Sequence, residues 1–184
     1  LVPILESKAE RGYRLVTGQL RSPTKAAAKG FVDALNPDMS VGVALRAIVA
    51  HGLDVLLANT NGLRDAHDPE FVHQARVAMR RMRSAIRLFD RRHADLPAAL
   101  ADELRWVGRL LGAARDWDVM TAVTLPASLA TVPRKLGPHV HALLTRAGEK
   151  REAAHAAAAT ALATSRFARL ALGLQAWTLS PPPT

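Results

Sequence analysis

The sequence has no cysteine, few aromatic residues and no long uncharged apolar run. Without cysteine, neither a disulfide framework nor a thiolate zinc site can form, and the absence is compatible with a reducing cytoplasm. Aromatic residues make up 4% of a chain that is 49% hydrophobic and rich in alanine, a mixture typical of closely packed helices. Since no stretch of about 18 apolar residues is free of charge, we predict no membrane-spanning segment.

The motifs of common catalytic and metal sites are also absent. The sequence has no zinc-ligand spacing, no glycine-rich loop for phosphates and no nucleophile elbow. His139 and His141 lie two residues apart on a predicted helix, where their side chains diverge and do not chelate one metal. We therefore predict no metal, no cofactor and no enzymatic activity for this chain.

Positive charge, by contrast, is abundant. The chain has 25 Lys and Arg residues against 16 Asp and Glu residues, a formal net charge of +9, and arginine greatly outnumbers lysine. A guanidinium group matches the geometry of phosphate oxygens better than an ammonium group does. A phosphate-rich polyanion is the predicted partner, and a merely soluble surface of high pI is the alternative.

Hydrophobic periodicity predicts an all-α fold, an antiparallel bundle of four to five helices joined by short loops. The helices are predicted at about residues 40–59, 69–92, 97–114, 139–163 and 166–178. Gly62 is predicted to end the first helix, and Pro126 to close a continuation of the third. Gly108 and Gly112, four residues apart inside the third helix, predict the close approach of another backbone.

Residues 1–39 differ from the rest because glycine and proline punctuate them, and residues 11–16 read as a short strand. A linker, or the tail of a preceding domain, is predicted there. The second helix has the strongest start signal, with Asp68 as N-cap, Pro69 at the first helical position and Glu70 in the first turn.

This second helix carries positive charge along one face. At about 100° per residue, its basic side chains fall within roughly an 80° arc and form a row about 21 Å long. The row consists of His73, Arg76, Arg80, Arg83 and Arg87. A separate arc, predicted to be buried, consists of Val72, Ala75, Met79, Met82, Ile86 and Phe89. Because no acid interrupts the basic row, we predict that it binds an anion instead of forming pairs along the helix.

A second cluster follows on the third helix. Asp116 and Asp118 are predicted to orient arginines of a neighbouring helix, and Arg115 adds a positive charge beside them. The alternative, two carboxylates that bind a metal and hydrolyse phosphate, is disfavoured because residues two apart point in nearly opposite directions on a helix. Arg105 and Arg109, one turn apart, either extend the basic surface or are simply solvated.

Two motifs in this order resemble the CHAD domain, an all-helical family. The first is His73-x-x-Arg76-Val77-x-x-Arg80-Arg81-x-Arg83, and the second is Leu111-Gly112-x-x-Arg115-Asp116-x-Asp118-Val119. The resemblance covers about residues 40–178. It implies a module that binds inorganic polyphosphate, is often found at polyphosphate granules in the cytoplasm, and consists of two similar four-helix bundles around a basic groove.

Carried over by motif, the resemblance implies that the groove residues are His73, Arg76, Arg80, Arg83, Arg87 and Arg115. Arg81 lies roughly 80° or more around the helix from the row and is only a possible extension, with Arg105 and Arg109. Residues 125–178 do not repeat the first motif. Residues 40–184 are therefore predicted to be the first half of a CHAD-like domain, and a homodimer is one way to supply the other half.

The leading segment, residues 6–15, resembles the end of a CYTH domain, a triphosphate-hydrolysing barrel that is often fused ahead of a CHAD domain. The alternating-glutamate catalytic strand of that barrel is not in this chain. The predicted function is polyphosphate binding. The alternatives are a nucleic-acid-binding helical module, an accessory domain of a CYTH-type triphosphatase, and a structural role in which the arginines pair with acids between helices.

Overall fold

The computed structural model describes residues 27–30, 35–65, 68–89, 95–133 and 136–182. Every regular element in these ranges is helical, which confirms the predicted all-α bundle. The elements are α1 (Val41–Asp65), α2 (Pro69–Phe89), α3 (Ala98–Val119), a π-helical turn (Met120–Thr124), α4 (Leu125–Leu129), α5 (Gly137–Leu162) and α6 (Ser165–Leu179). The strand predicted at residues 11–16 and the extension of α2 to residue 92 lie outside the described residues.

The core forms where the apolar faces of the five long helices meet. The buried arc predicted for α2 is confirmed, because five of its six residues are buried and Phe89 packs half-buried against the core. Leu45, Leu56, Leu104 and Leu174 on the other helices belong to the same buried cluster. Burying a side chain of this size contributes about 1.5–3 kcal/mol, so the arc fixes which face of α2 is left for solvent.

The predicted start of α2 is confirmed by its capping contacts. Asp68 Oδ1 accepts a hydrogen bond of 2.8 Å from the backbone N–H of Glu70. The Glu70 carboxylate accepts from Gln74 and pairs with Lys29, and the hydrogen bond from Gln74 is the main cause that lowers the pKa of Glu70. Negative charge in the first turn is favourable beside the positive end of the helix dipole.

Gly62 does not end α1, which continues to Asp65, so this prediction was wrong. A Cβ atom at Gly62 would run into the ring of Phe71 on α2, and one at Gly52 would run into Met82. Both glycines therefore serve packing: they let the antiparallel helices α1 and α2 approach closely.

The prediction for Gly108 and Gly112 was also wrong, because no backbone approaches either residue. A Cβ atom at Gly108 would lie 3.1 Å from the Nη1 atom of Arg83, a side chain. At Gly112 it would meet nothing within 4 Å. Only Gly108 thus has a close neighbour, the guanidinium group at the flexible end of the Arg83 side chain.

Exchanging Gly62 and Gly112 for alanine is expected to change stability in opposite directions. Gly62→Ala should lower the free energy of unfolding by about 1–3 kcal/mol, because the added methyl group displaces the buried Phe71 ring. Gly112→Ala should raise it by up to about 1 kcal/mol, the gain in helix propensity with no clash. Urea unfolding followed by circular dichroism measures both. Destabilisation by Gly112→Ala would contradict the open space seen at that position.

Pro126 does not close the third helix, because the chain stays helical to Leu129. The turn before it is π-helical, and Leu125 donates its backbone N–H to the carbonyl of Met120, five residues back. This wider turn accommodates the proline, which lacks an N–H and whose ring would crowd the carbonyl four residues earlier. The hydroxyl of Thr121 donates to the carbonyl of Trp117 at 2.8 Å and so satisfies an acceptor in this region.

Arg46 ties three segments together at the other end of the bundle. Its guanidinium group is buried and donates to both carboxylate oxygens of Asp95, at 2.8 and 3.0 Å, and to the carbonyl of Ser180 at 2.8 Å. It also stacks 4.6 Å from the centre of the Trp177 ring, whose indole N–H donates to Asp95. Burial opposes ionisation of Asp95, but these hydrogen bonds outweigh it and lower the pKa of its carboxyl group.

Among the described helices, α1 alone is long and apolar enough to cross a membrane by length and composition. Leu45, Val49, Leu53 and Leu56 form its buried face within the bundle. The core helix of a globular bundle can have the same length and hydropathy, so these two properties alone do not indicate a membrane segment.

Candidate anion-binding groove

A groove of about 550 Å³ runs between α2 and α3, and arginine side chains dominate its lining. From α2 the lining residues are Arg76, Met79, Arg80, Arg83, Ser84, Ile86 and Arg87, and from α3 they are Ala101, Leu104, Arg105 and Gly108. Helix α2 contributes four of the five arginines, whereas α3 contributes mainly small or apolar residues. The groove is therefore a basic wall beside a mostly apolar floor.

Gly108 shapes the floor of this groove. Because a Cβ atom there would come within 3.1 Å of the Arg83 guanidinium group, the missing side chain gives that group room to lie against α3. The glycine therefore leaves room for the Arg83 side chain between the two helices.

The four arginines that α2 contributes have no carboxylate partner within 4 Å among the residues that the structure describes. The Nε atom of Arg76 is buried and has no hydrogen-bond partner among the residues that the structure describes. Adjacent positive charges without acids repel one another, and a buried unpaired donor is costly. Both features favour a bound anion.

His73 and Arg115 lie near the same end of the groove, although neither lines its cavity. Arg115 follows Gly108 by two helical turns and so lies on the same side of α3. Since α2 and α3 are antiparallel, this end of α3 is beside the start of α2, where His73 is half-buried. Positive charge thus continues beyond the cavity toward the start of α2, where His73 and Arg115 lie.

The three possible extensions lie in different places. Arg105 lines the groove and pairs with Asp102 one turn earlier. Arg109 is exposed and outside the groove lining. Arg81 points to another side of α2, where its Nη1 atom donates to the carbonyl of Gly30 at 2.7 Å.

Asp118 orients an arginine of a neighbouring helix, but that arginine belongs to α5 and not to the basic row. Its Oδ1 atom accepts from Arg151 Nε at 2.7 Å and from His155 Nε2 at 2.8 Å, and its side chain is 2% exposed. Asp116 is exposed on another face of α3. No group of three potential metal ligands occurs within the described ranges, and the two aspartates do not face a common point.

Comparison with known proteins identifies the family of this helical bundle. A family model described as the CHAD domain matches residues 47–184. The chain belongs to the CHAD domain family. No curated protein matches it.

A solved structure that is similar to this CHAD domain is the crystal structure of the CHAD domain from the plant Ricinus communis. The two are 39% identical, and their TM-score is 0.72. The match covers 84% of this chain and 51% of the plant chain, so this chain spans about half the length of that structure. The two structures therefore share their fold over most of the helical bundle described above.

Sequence reasoning missed several residues that the structure of this CHAD domain places in the groove lining or in buried contacts. Ser84 lines the groove, Arg151 and His155 bind Asp118, and Arg46 is buried at the opposite end of the bundle. Only Arg46 had a usable signal, since it interrupts the apolar stripe of α1 next to Leu45. The others depend on which helices become neighbours, and a single sequence does not give that pairing.

Proposed function

We propose that the groove between α2 and α3 binds inorganic polyphosphate. The observation that carries this proposal is that all four arginines of the α2 row line one groove without a carboxylate partner among the described residues. Membership of the CHAD domain family supports the choice of polyphosphate, a partner that the two sequence motifs already imply.

The proposed mechanism is electrostatic. Arginines about one helical turn apart repeat along α2 roughly every 5–6 Å, which suits a linear chain with a charge on every unit. Each guanidinium group donates several hydrogen bonds in one plane and remains charged at any physiological pH. Binding releases counterions from the polyanion, so affinity falls steeply as salt concentration rises.

The chain itself acts as a binding module in this proposal, and any hydrolytic activity belongs to a domain fused to it. A polyphosphate-binding module would bring the parent protein to polyphosphate granules in the cytoplasm. Nucleic acid is the competing ligand, because the same row of charge attracts any phosphate backbone.

Competition between polyphosphate and DNA distinguishes these two ligands. We expect a long polyphosphate to displace fluorescent duplex DNA at a phosphate concentration at least about tenfold below that at which DNA displaces labelled polyphosphate. The reason is that a single flexible chain enters a narrow groove, whereas a duplex contacts only its rim. Fluorescence anisotropy at two salt concentrations measures both directions, and preferential retention of DNA would favour a nucleic-acid module.

A further inference from the structure

A second basic pocket lies between α1 and α5 and shares no residue with the groove. Its volume is about 260 Å³, roughly half that of the groove. The lining residues are Leu63 and Arg64 from α1, and Arg151, Glu152, His155, Ala156 and Ala159 from α5. Two arginines and a histidine thus meet in a compact space instead of along a line.

Asp118 fixes the two basic side chains that α5 contributes. It binds Arg151 through Nε alone and His155 through Nε2 alone. An arginine side chain has five N–H donors, so this arrangement leaves the Nη1 and Nη2 groups of Arg151, and the Nδ1 atom of His155, for another partner. These atoms make no other hydrogen bond to the residues that the structure describes.

The buried carboxylate works as a positioning group. Asp118 is almost fully buried and holds both groups through its Oδ1 atom, so its carboxylate is not exposed to a ligand in the pocket. Arg151 is partly exposed on the pocket side, with Arg64 across from it. Glu152 is exposed and contributes the opposing negative charge.

We propose that this α1–α5 pocket is a second anion site, which binds a single phosphate group through the Nη1 and Nη2 groups of Arg151 and the Nδ1 atom of His155, with the positive charge of Arg64 on the facing wall. The pocket is too small for an extended chain to lie along, so its ligand is free orthophosphate or the terminal group of a phosphate chain. The two sites share no residue, so an experiment can disprove this proposal without disproving polyphosphate binding in the groove, and the reverse is also true.

Nuclear magnetic resonance of the side chains tests this pocket directly. Orthophosphate added to ¹⁵N-labelled protein should shift the Nε–H resonance of Arg151 and the ring resonances of His155 in a saturable way, with a dissociation constant on the order of 1–10 mM, as expected for one small ligand. Arg151→Gln should weaken this binding at least about tenfold. Glu152→Gln should strengthen it about two- to fivefold, because it removes the opposing charge.

Arg83→Gln is the matched control, since it removes one guanidinium group from the groove and should leave the orthophosphate response unchanged. Tripolyphosphate added to the groove variant Arg80→Glu/Arg83→Glu separates the two sources of ligand. A saturable response to it without a response to orthophosphate assigns the site to chain ends. If neither ligand shifts Arg151 and His155 in the wild-type protein, the proposal is overturned, whatever the stability of Arg151→Gln.

Discussion

Exchanging Arg80 and Arg83 together for glutamate is expected to weaken polyphosphate binding by at least about 100-fold. Each exchange removes an attraction of about 1 kcal/mol in water and replaces it with a repulsion of similar size. Two exchanges therefore cost more than about 3 kcal/mol, and each 1.4 kcal/mol is a factor of ten in affinity. Both side chains are exposed, so the fold should be unaffected. Retention on immobilised polyphosphate measures the loss, and circular dichroism checks the helicity.

The matched control moves the same amount of charge elsewhere. Arg146→Glu/Arg169→Glu changes two exposed arginines on α5 and α6 that do not line the groove. This variant should bind within about fivefold of the wild type, because neither side chain lines the groove and exposed charges outside a binding site are screened by salt. Equal losses in the two double variants would mean that the total charge, and not the groove, determines binding.

Replacing Arg46 with methionine is expected to lower the free energy of unfolding by about 3 kcal/mol, a large part of the stability of a domain this size. Methionine keeps much of the side-chain volume but leaves the carbonyl of Ser180 without its donor and Asp95 without its counterion. Arg46, Asp95 and Ser180 belong to three separate segments, so the exchange removes contacts that join all three. Urea denaturation measures the change, with one m-value fitted to the wild type and the variant together.

Arg166 provides a close control for Arg46. It also binds a carboxylate, that of Glu103 at 2.6 Å, and also stacks on a tryptophan, 3.9 Å from the centre of the Trp106 ring. The difference is exposure, since the Arg166 side chain is 49% exposed and that of Arg46 is 5% exposed. Arg166→Met should therefore shift the urea midpoint of unfolding far less than Arg46→Met does, because an ion pair exposed to solvent contributes little to stability. Similar losses at both positions would contradict the role of burial.

Local signals in the sequence predicted much of the fold. The start of α2 depends on residues next to one another, Asp68 to Glu70, and the hydrogen bond between them confirms it. The buried arc and the basic row of α2 follow from helical periodicity, which the packing of one face onto the core preserves. These features are encoded within about twenty residues of the chain.

Other features depend on contacts between distant segments. Gly62 resembles a helix end by composition, but the Phe71 ring decides its role. The floor of the groove at Gly108 requires the pairing of α2 with α3, and the partners of Asp118 lie 33 and 37 residues further along the chain. Periodicity shows which face of a helix is buried, but it does not identify the neighbour that buries it.

The π-helical turn at Met120–Thr124 has a consequence for insertions and deletions in this chain. A turn of this kind contains one residue more than the α-helix around it, so it shifts the phase of everything that follows by about 100°. A helical wheel drawn continuously from Ala98 to Leu129 therefore assigns the last residues to the wrong face. Deleting one residue within the turn would place α3 and α4 in a single register and bring the ring of Pro126 against an α-helical carbonyl. Length changes in this segment thus act as rotations, unlike those in an ordinary loop.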